Sequence, residues 1–387
     1  MSTAGEAVLT GRESLGRATL STRLIFLVSG IGMSAWAPMV PYAKSRLGLD
    51  DAQLGLILLV FGGGSMASMP FVGWLSHRFG NRRVIVASGL LLCLALPVLA
   101  VAPSAAVLTV ALAYFGVMLG VVDVAMNAHA VEVERLDGRV LMSGFHGLFS
   151  VGGLTGAALM SALLGTGLPL AWCAAIVAAV LAALVLFLRG GLLPHGGEAN
   201  EGHAAFGMPR GLVLLLGLLC FVSFMAEGSM LDWSAVFLRD FRSFAPSSAG
   251  IGYACFSIAM ALGRLTGDRL VQRIGTVWTV RAGAALAAAG FALVAGVPWA
   301  PASLFGFVLI GLGASNIVPV MFSAAGRLPG TSPAVALATV TMLGYVGLLS
   351  GPALIGFLSK VSSLPVAMAA VAGLLLLVSA SARIVRR

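Results

Sequence analysis

Few side chains in this 387-residue chain could do acid–base or binding chemistry, and most of them stand where water is scarce. Asp123, Asn127 one helical turn later, His146 and Glu227 each lie inside a long apolar run. An ionisable group in such a run is costly to keep, so each is a candidate to carry a proton, hold a solute or pin neighbouring helices. Glu227 is the foremost of these for coupling or substrate contact, since a carboxyl stripped of hydration is a natural proton carrier. Its structural alternative is a hydrogen bond to a neighbouring helix. Asp123 and Asn127 share a helix face with Gly116 and Gly120. That face suits either a hydrogen-bonded packing cluster beside small residues or a substrate and proton site. His146 could relay protons or serve as a satisfied packing histidine. Asp232, five residues after Glu227 and nearer the outer mouth, is expected to pair with Arg239, Arg242 or a helix terminus. Asn316 and Tyr345 offer neutral hydrogen-bonding groups. Trp36 and Trp233 are interfacial anchors or a lid over the site.

Other chemistries are excluded by what the residues do not spell. There is no HExxH or GxSxG, and no cysteine has a plausible base nearby, so a membrane-embedded hydrolase is disfavoured. Both lysines, Lys44 and Lys360, lack the glycine pattern of a phosphate-binding loop, so direct drive by ATP is not expected. Gly30-Ile-Gly32-Met-Ser-Ala35 imitates a dinucleotide fingerprint but lies in an apolar span, where glycines pack helices. Cys93, Cys173, Cys220 and Cys255 all lie in apolar segments and act as small hydrophobes. No cofactor or metal is expected. No Lys or Arg is expected at midplane depth, which points to a neutral, zwitterionic or cationic solute.

These groups need a membrane scaffold to hold them. Hydrophobic residues make up 59% of the chain and charged ones 10%, too few charges to cover a water-facing surface. The mean hydropathy is +1.03. Apolar runs predict spans over residues 23–43, 53–75, 84–102, 105–131, 141–163 and 169–188. A second set covers 211–238, 249–265, 277–297, 302–325, 335–358 and 364–384. Residues 1–22 read as a cytoplasmic tail, since they lack the apolar core of a signal peptide. Residues 190–210, with His195, Glu198, Glu201 and His203, read as a cytoplasmic linker between a half spanning 23–189 and a half spanning 211–387. With the N-terminus inside, the cytoplasmic segments hold 18 Lys and Arg against 5 outside. This places both termini in the cytoplasm. The net charge of +9 is spread between the spans and forms no stripe for nucleic acid.

The two halves are copies. Trp36 and Trp233 are 197 apart, as are Gly55 and Gly252; Arg78-Phe79-Gly80 and Arg273-Ile274-Gly275 are 195 apart. Gly152 and Gly156 match Gly347 and Gly351 at 195, and Gly120 matches Gly313 at 193, which sets Asp123 opposite Asn316. The same repeat sets Glu227 opposite Gly30. Six-span halves repeated in parallel, with a midplane site between them, are a transporter architecture. Pro38 and Pro41 interrupt the first span, and broken helices border transporter sites.

The loop Gly73-Trp-Leu-Ser-His-Arg-Phe-Gly-Asn-Arg-Arg83 resembles the signature cytoplasmic loop of the major facilitator superfamily. Gly267-Asp268-Arg269, continuing to Arg273 and Gly275, is similar to its second-half copy. The runs Trp36-Ala-Pro-Met-Val-Pro-Tyr42, Asp123-Val-Ala-Met-Asn127, Phe145-His-Gly147 and Glu227-Gly-Ser-Met-Leu-Asp-Trp233 resemble a fucose-permease-like bacterial branch. Gly347-Leu-Leu-Ser-Gly351-Pro352 resembles an antiporter glycine–proline motif, displaced from span 5 to span 11. The resemblance implies an all-α polytopic membrane protein with twelve transmembrane helices in two pseudo-symmetric six-helix halves. It implies a cavity lined by spans 1, 4, 7 and 10. It implies a cytoplasmic gate built from Gly73, His77, Arg78, Gly80, Arg82 and Arg83, with Asp268, Arg269 and Arg273 as the second copy. His77 stands where the family carries an acid. His129, Glu132 and Glu134 are expected to join the Arg78 loop in that gate. The expected function is secondary active transport of a small solute across the bacterial inner membrane by alternating access. The expected partners are protons, the lipid bilayer and the solute, sugar-like by the branch, and the chain is expected to be a monomer. A multidrug or metabolite efflux antiporter and a non-transporting membrane sensor of the same fold are the alternatives.

Overall fold

The computed structural model describes residues 2–49, 51–193, 211–244 and 251–386. The expected linker therefore lies outside the described residues from 194 to 210. In lipid the backbone can satisfy its polar groups only within itself, which makes long apolar runs helical. Among the described residues every regular element is a helix. The α-helices are α1 (Ser2–Ser34), α2 (Val40–Leu47), α3 (Asp51–Phe79), α4 (Asn81–Val101), α5 (Ala105–Asp137), α6 (Met142–Gly165) and α7 (Leu170–Leu188). They continue as α8 (Leu212–Arg242), α9 (Ile251–Gly296), α10 (Ala300–Ala314), α11 (Ile317–Gly326), α12 (Pro333–Val361) and α13 (Leu364–Ser381). The residues expected as a polar tail are helical from Ser2 and run on into the first span.

Prolines and glycines set the breaks. Pro38 cannot donate to Ser34, and α1 ends at Ser34 before a short 3-10 turn over Ala37–Met39. In the tenth span Pro319 has no N–H for the Ser315 carbonyl. The helix breaks there into α10 and α11, a break not foreseen from the sequence. Among the described residues, eleven helices are long and apolar enough to cross a membrane. One of them, α9, has 46 residues, or about 69 Å, more than twice the hydrocarbon thickness. It bends at Gly275 (φ 79°, ψ 162°), so it supplies two spans and the total is twelve. Gly80, between α3 and α4, has nearly the same backbone (φ 82°, ψ 144°). Both lie in the left-handed half of conformational space that only glycine enters cheaply.

The chain forms two compact units. One comprises Met1–Arg139, Leu148–Gly207 and Ser332–Ala338; the other comprises Val140–Gly147, Met208–Thr331 and Thr339–Arg387. Each includes the first turns of a helix from the opposite half of the sequence.

Within each unit the same backbone approaches recur. A Cβ on Gly116 would lie 2.0 Å from the Phe61 carbonyl oxygen, and one on Gly311 would lie 2.3 Å from that of Phe256. Likewise Gly152 abuts the Leu27 carbonyl and Gly347 that of Phe221, each at 2.2 Å. These contacts set the register of the repeat. Spans 2 and 4 map onto 8 and 10 at an offset of 195, so Asp123 corresponds to Val318 and not to Asn316. Span 1 maps onto span 7 at 194, so Glu227 corresponds to Met33 and not to Gly30. A glycine match alone misplaces the register because glycines are frequent here, 50 in all.

Arginines cap helix ends in both copies. Arg46 donates to the carbonyls of Leu99 and Ala100 at the end of α4. Arg242, its counterpart at an offset of 196, donates to Val294 and Val297 at the end of α9, each at 2.8 Å, and to Ser303 Oγ at 2.8 Å. A cation at a helix C-terminus satisfies orphan carbonyls and opposes the macrodipole.

Candidate functional site

The most concentrated polar chemistry lies in the second unit, on α8, α9 and the break between α10 and α11. Glu227 is fifteen residues into the 31-residue α8, about 22 Å along it. Facing it is Arg264, thirteen residues into α9 and about 20 Å along that helix. Arg264 Nη2 lies 3.1 Å from each carboxylate oxygen of Glu227. The side chains are 11% and 15% exposed, so the pair is largely but not completely enclosed. Arg264 Nε donates to the Ser315 carbonyl at 3.3 Å, the carbonyl that Pro319 leaves without its helical donor.

This arrangement corrects two expectations. The eighth span does not end at residue 265, because the helix continues to Ile274 before the Gly275 bend. Nor is mid-span depth free of basic residues. Arg264 reads as a loop cation because it falls at the end of an apolar run, yet a carboxylate 37 residues earlier allows it to stay inside.

Asn316 adjoins the pair through Ser315. Its Nδ2 donates to the Gly263 carbonyl at 3.0 Å and to Ser315 Oγ at 2.9 Å, and its buried Oδ1 has no hydrogen-bond partner among the described residues. That oxygen crowds Gly267, where a Cβ would sit 1.7 Å from it. His146 belongs to the same unit. Its Nδ1 lies 3.0 Å from the Met142 carbonyl, which only accepts, so Nδ1 carries a proton. Its ring meets Phe322 edge-on with centroids 5.6 Å apart, and the charge on Arg264 reaches it. Tyr345 packs against Phe224 with centroids 6.2 Å apart.

One step further along α9, Asp268 Oδ2 accepts from the Gly144 N–H at 3.0 Å. Gly144 is the third residue of α6, so the carboxylate satisfies an orphan donor at the positive end of that helix. Arg269 and Arg273 are exposed.

In the first unit the candidates are dispersed. Asn127 is fully buried, and its Nδ2 donates to the Asp123 carbonyl at 2.9 Å and to Asp123 Oδ1 at 3.2 Å. Both bonds lie within one helix, the packing-cluster geometry. His129 departs from expectation. Its Nε2 accepts from the Leu193 N–H at 2.9 Å, and its Nδ1 lies 3.1 Å from Thr22 Oγ1, which itself donates to the Ala18 carbonyl. It ties α5 to α1 and to the chain following α7. Glu132 is engaged by Arg135 at 2.7 Å instead, and Glu134 is buried. Around the Gly80 turn, His77 and Arg78 in the last turn of α3 and Arg83 in the first turn of α4 are exposed, and Arg82 is half-buried. Arg78 lies over the Phe79 ring at 5.8 Å, and Gly73 packs on Val335.

The two tryptophans differ. Trp36 is 6% exposed and its Nε1 has no hydrogen-bond partner among the described residues, while Trp233 Nε1 donates to the Pro352 carbonyl at 3.2 Å. Asp232 lies outside the ion pairs foreseen for it: Arg239 binds Asp240 at 2.6 Å and Arg242 caps α9. The Asp240 carboxyl is held below its ordinary range by the hydrogen bond from Arg239.

Residues 24–244 match the Major Facilitator Superfamily, more than half of the chain. The chain belongs to the Major Facilitator Superfamily. It is 51% identical over 371 residues to an MFS-type transporter of Yersinia pestis, covering 95% of this chain and 96% of that one. It is 31% identical over 339 residues to the membrane protein MosC of Rhizobium meliloti, covering 87% and 82%. Among solved structures it is similar to the E. coli fucose:proton symporter FucP, with a TM-score of 0.80, 15% identity, and 95% and 98% coverage. At that identity the likeness shows the fold alone. The superfamily's twelve-span fold is therefore present, and the chain is a multi-pass membrane transporter by family.

Sequence reasoning missed Arg264 and the Ser315 carbonyl in this facilitator. Pro319 was the available signal for the second, since a proline in mid-span frees a carbonyl four residues earlier. Nothing in a single sequence pairs residues 227 and 264.

Proposed function

We propose that this facilitator is a proton-coupled secondary transporter that moves a small solute across the bacterial inner membrane by alternating access. Both termini are cytoplasmic in this reading. The observation that carries it is the Glu227–Arg264 pair at mid-span. An ion pair there is expensive to build, and replacing such pairs with packed apolar groups is often neutral or stabilising. A scaffold that keeps one has a use for separable charges. Glu227 is the proton carrier, and Arg264 compensates it until a proton arrives. Asn316, His146 and Tyr345 supply hydrogen-bonding groups in the same unit. The Asp268 carboxylate on the α6 N-terminus is a releasable latch, with the loops at Gly80 and Gly275 as the turns of the cytoplasmic gate.

The test is transport by the purified protein in proteoliposomes carrying an internal pH dye. Adding a transported metabolite produces saturable counterflow together with proton movement, and Glu227→Gln abolishes the proton movement. Counterflow without any pH change would reduce the mechanism to uniport. No counterflow across a broad metabolite library would overturn transport.

A further inference from the structure

We propose that the second unit holds an anionic phospholipid, its phosphodiester headgroup bound by Arg281, Arg383 and Arg386 beside the Gly275 bend. This site is separate from the chemistry at Glu227 and needs only that the fold is embedded in a bilayer.

Between Asp268 and Arg387 the sequence has no Asp or Glu, while arginines recur. The positive-inside rule accounts for their gathering at one end of the spans. It does not account for how they are partnered. In the first unit the exposed Arg135 and Arg139 pair with the chain's own carboxylates, Glu132 and Asp137. In the second unit Arg281, Arg383 and Arg386 have no ion-pair partner among the described residues.

Two side-chain hydrogen bonds bring these three arginines into one place. Thr276 Oγ1, directly after the bend, donates to the Val385 carbonyl at 3.3 Å, and Ser379 Oγ donates to the Arg281 carbonyl at 2.9 Å. They pin the end of α13 and the 3-10 turn Ala382–Arg386 to the helix that restarts beyond Gly275. Side chains three apart eclipse in a 3-10 helix. Arg383 and Arg386 therefore leave the turn on one face, and both are exposed.

Arg281 starts about 9 Å beyond the bend, and a helical side chain leans toward the N-terminus of its helix. Its guanidinium accordingly lies over the Trp278 ring, 5.3 Å from the centroid. Trp278 is 58% exposed, as befits an aromatic at the boundary between hydrocarbon and headgroups. A ring face steadies a guanidinium without using its N–H donors. Those donors suit phosphate oxygens, which arginine takes side by side. Ala282 and Leu286 follow Trp278 at four-residue spacing and are exposed, so one helix face offers an acyl chain an apolar strip leading from the same headgroup. A free phosphate would make no use of that strip or of the exposed indole. Basic pockets between transmembrane helices take anionic headgroups for this combination of charge and depth.

The test is native mass spectrometry of the full-length protein in detergent, with phosphatidylglycerol or phosphatidylcholine of the same acyl chains. The wild type retains phosphatidylglycerol in preference to phosphatidylcholine. Arg281→Gln combined with Arg386→Gln weakens phosphatidylglycerol about thirtyfold, or about fivefold for each arginine near an anionic headgroup, and leaves phosphatidylcholine unchanged. Arg135→Gln combined with Arg139→Gln removes the same charge from paired sites and changes neither lipid. Equal losses in the two double variants, or no preference in the wild type, would overturn the proposal. Displacement of the lipid by soluble glycerol phosphate would also overturn it, by giving the site to a free phosphate. Phosphatidylglycerol binding only after Glu198→Gln and Glu201→Gln would hand the patch to the chain's own acidic segment. Should the arginine variant fail to fold, photo-crosslinking of phosphatidylglycerol to the wild type decides the matter. Labels on residues 276–286 or 379–386 support the site, and labels found only elsewhere sink it.

Discussion

The two units repeat one scaffold and carry different chemistry. Gly116 meets Phe61 as Gly311 meets Phe256, and Arg46 caps α4 as Arg242 caps α9. Yet in the first unit the buried polar groups described above meet neutral partners. Asp123 and Asn127 bond within one helix, and His129 clasps backbone and a threonine. The second unit instead sets full charges on different helices against each other, Glu227 against Arg264, over a broken tenth span. Position 264 corresponds to Met69, and position 227 to Met33, in the first unit. The comparison teaches that the backbone approaches which let helices pack can stay duplicated while the charges at positions 227 and 264 stand in one copy and methionines at the matching positions of the other.

The sharpest way to break this contrast is to remove one charge. Arg264→Ala or Glu227→Ala should destabilise the protein by about 3–5 kcal/mol, because the remaining charge loses the opposite charge that balances it in mid-span. The double substitution to alanine should recover part of that loss, read by thermal unfolding as a double-mutant cycle. Asp123→Asn in the first unit should cost only about 1 kcal/mol, the worth of one hydrogen bond. Equal losses at positions 123 and 264 would erase the distinction.

The duplicated scaffold makes the opposite claim, that matched changes have matched effects. Gly116→Ala and Gly311→Ala each drive a methyl into a backbone carbonyl, and each should cost about 1–3 kcal/mol. A large difference between them would mean that the contacts are not equivalent. Smaller again are the caps. Arg46→Ala and Arg242→Ala should each cost about 1 kcal/mol, mostly through uncapped carbonyls at the ends of α4 and α9. Thr22→Val should cost about as little, by taking the hydroxyl from His129, with faster amide exchange at Leu193 as its particular signature.

Much of this was legible in the sequence, for reasons that separate the legible from the hidden. The spans were plain because membrane burial is written as unbroken apolar length. The turns at Gly80 and Gly275 were marked by Arg-x-Gly in both copies. Glu227 announced itself as a carboxyl inside such a run. Arg264 did not, because hydropathy treats a cation near the end of a run as the start of a loop, and only a partner in space decides otherwise. The role of His129 was hidden likewise, since its acceptor and donor come from α1 and from the segment after α7, far apart in the chain. Pro319 was visible but unread, and with it the carbonyl that steadies Arg264.

The paired arginine caps bear on how the protein is made. Arg46 lies between the first and second spans of its half, but the carbonyls it caps belong to the end of the third. Arg242 follows the seventh span, and its carbonyls end the ninth. Neither contact can close until the third span of its own half has left the ribosome and entered the bilayer. Each half thus contains its own signal that three helices have assembled, and the first half can complete that step before the second has been synthesised.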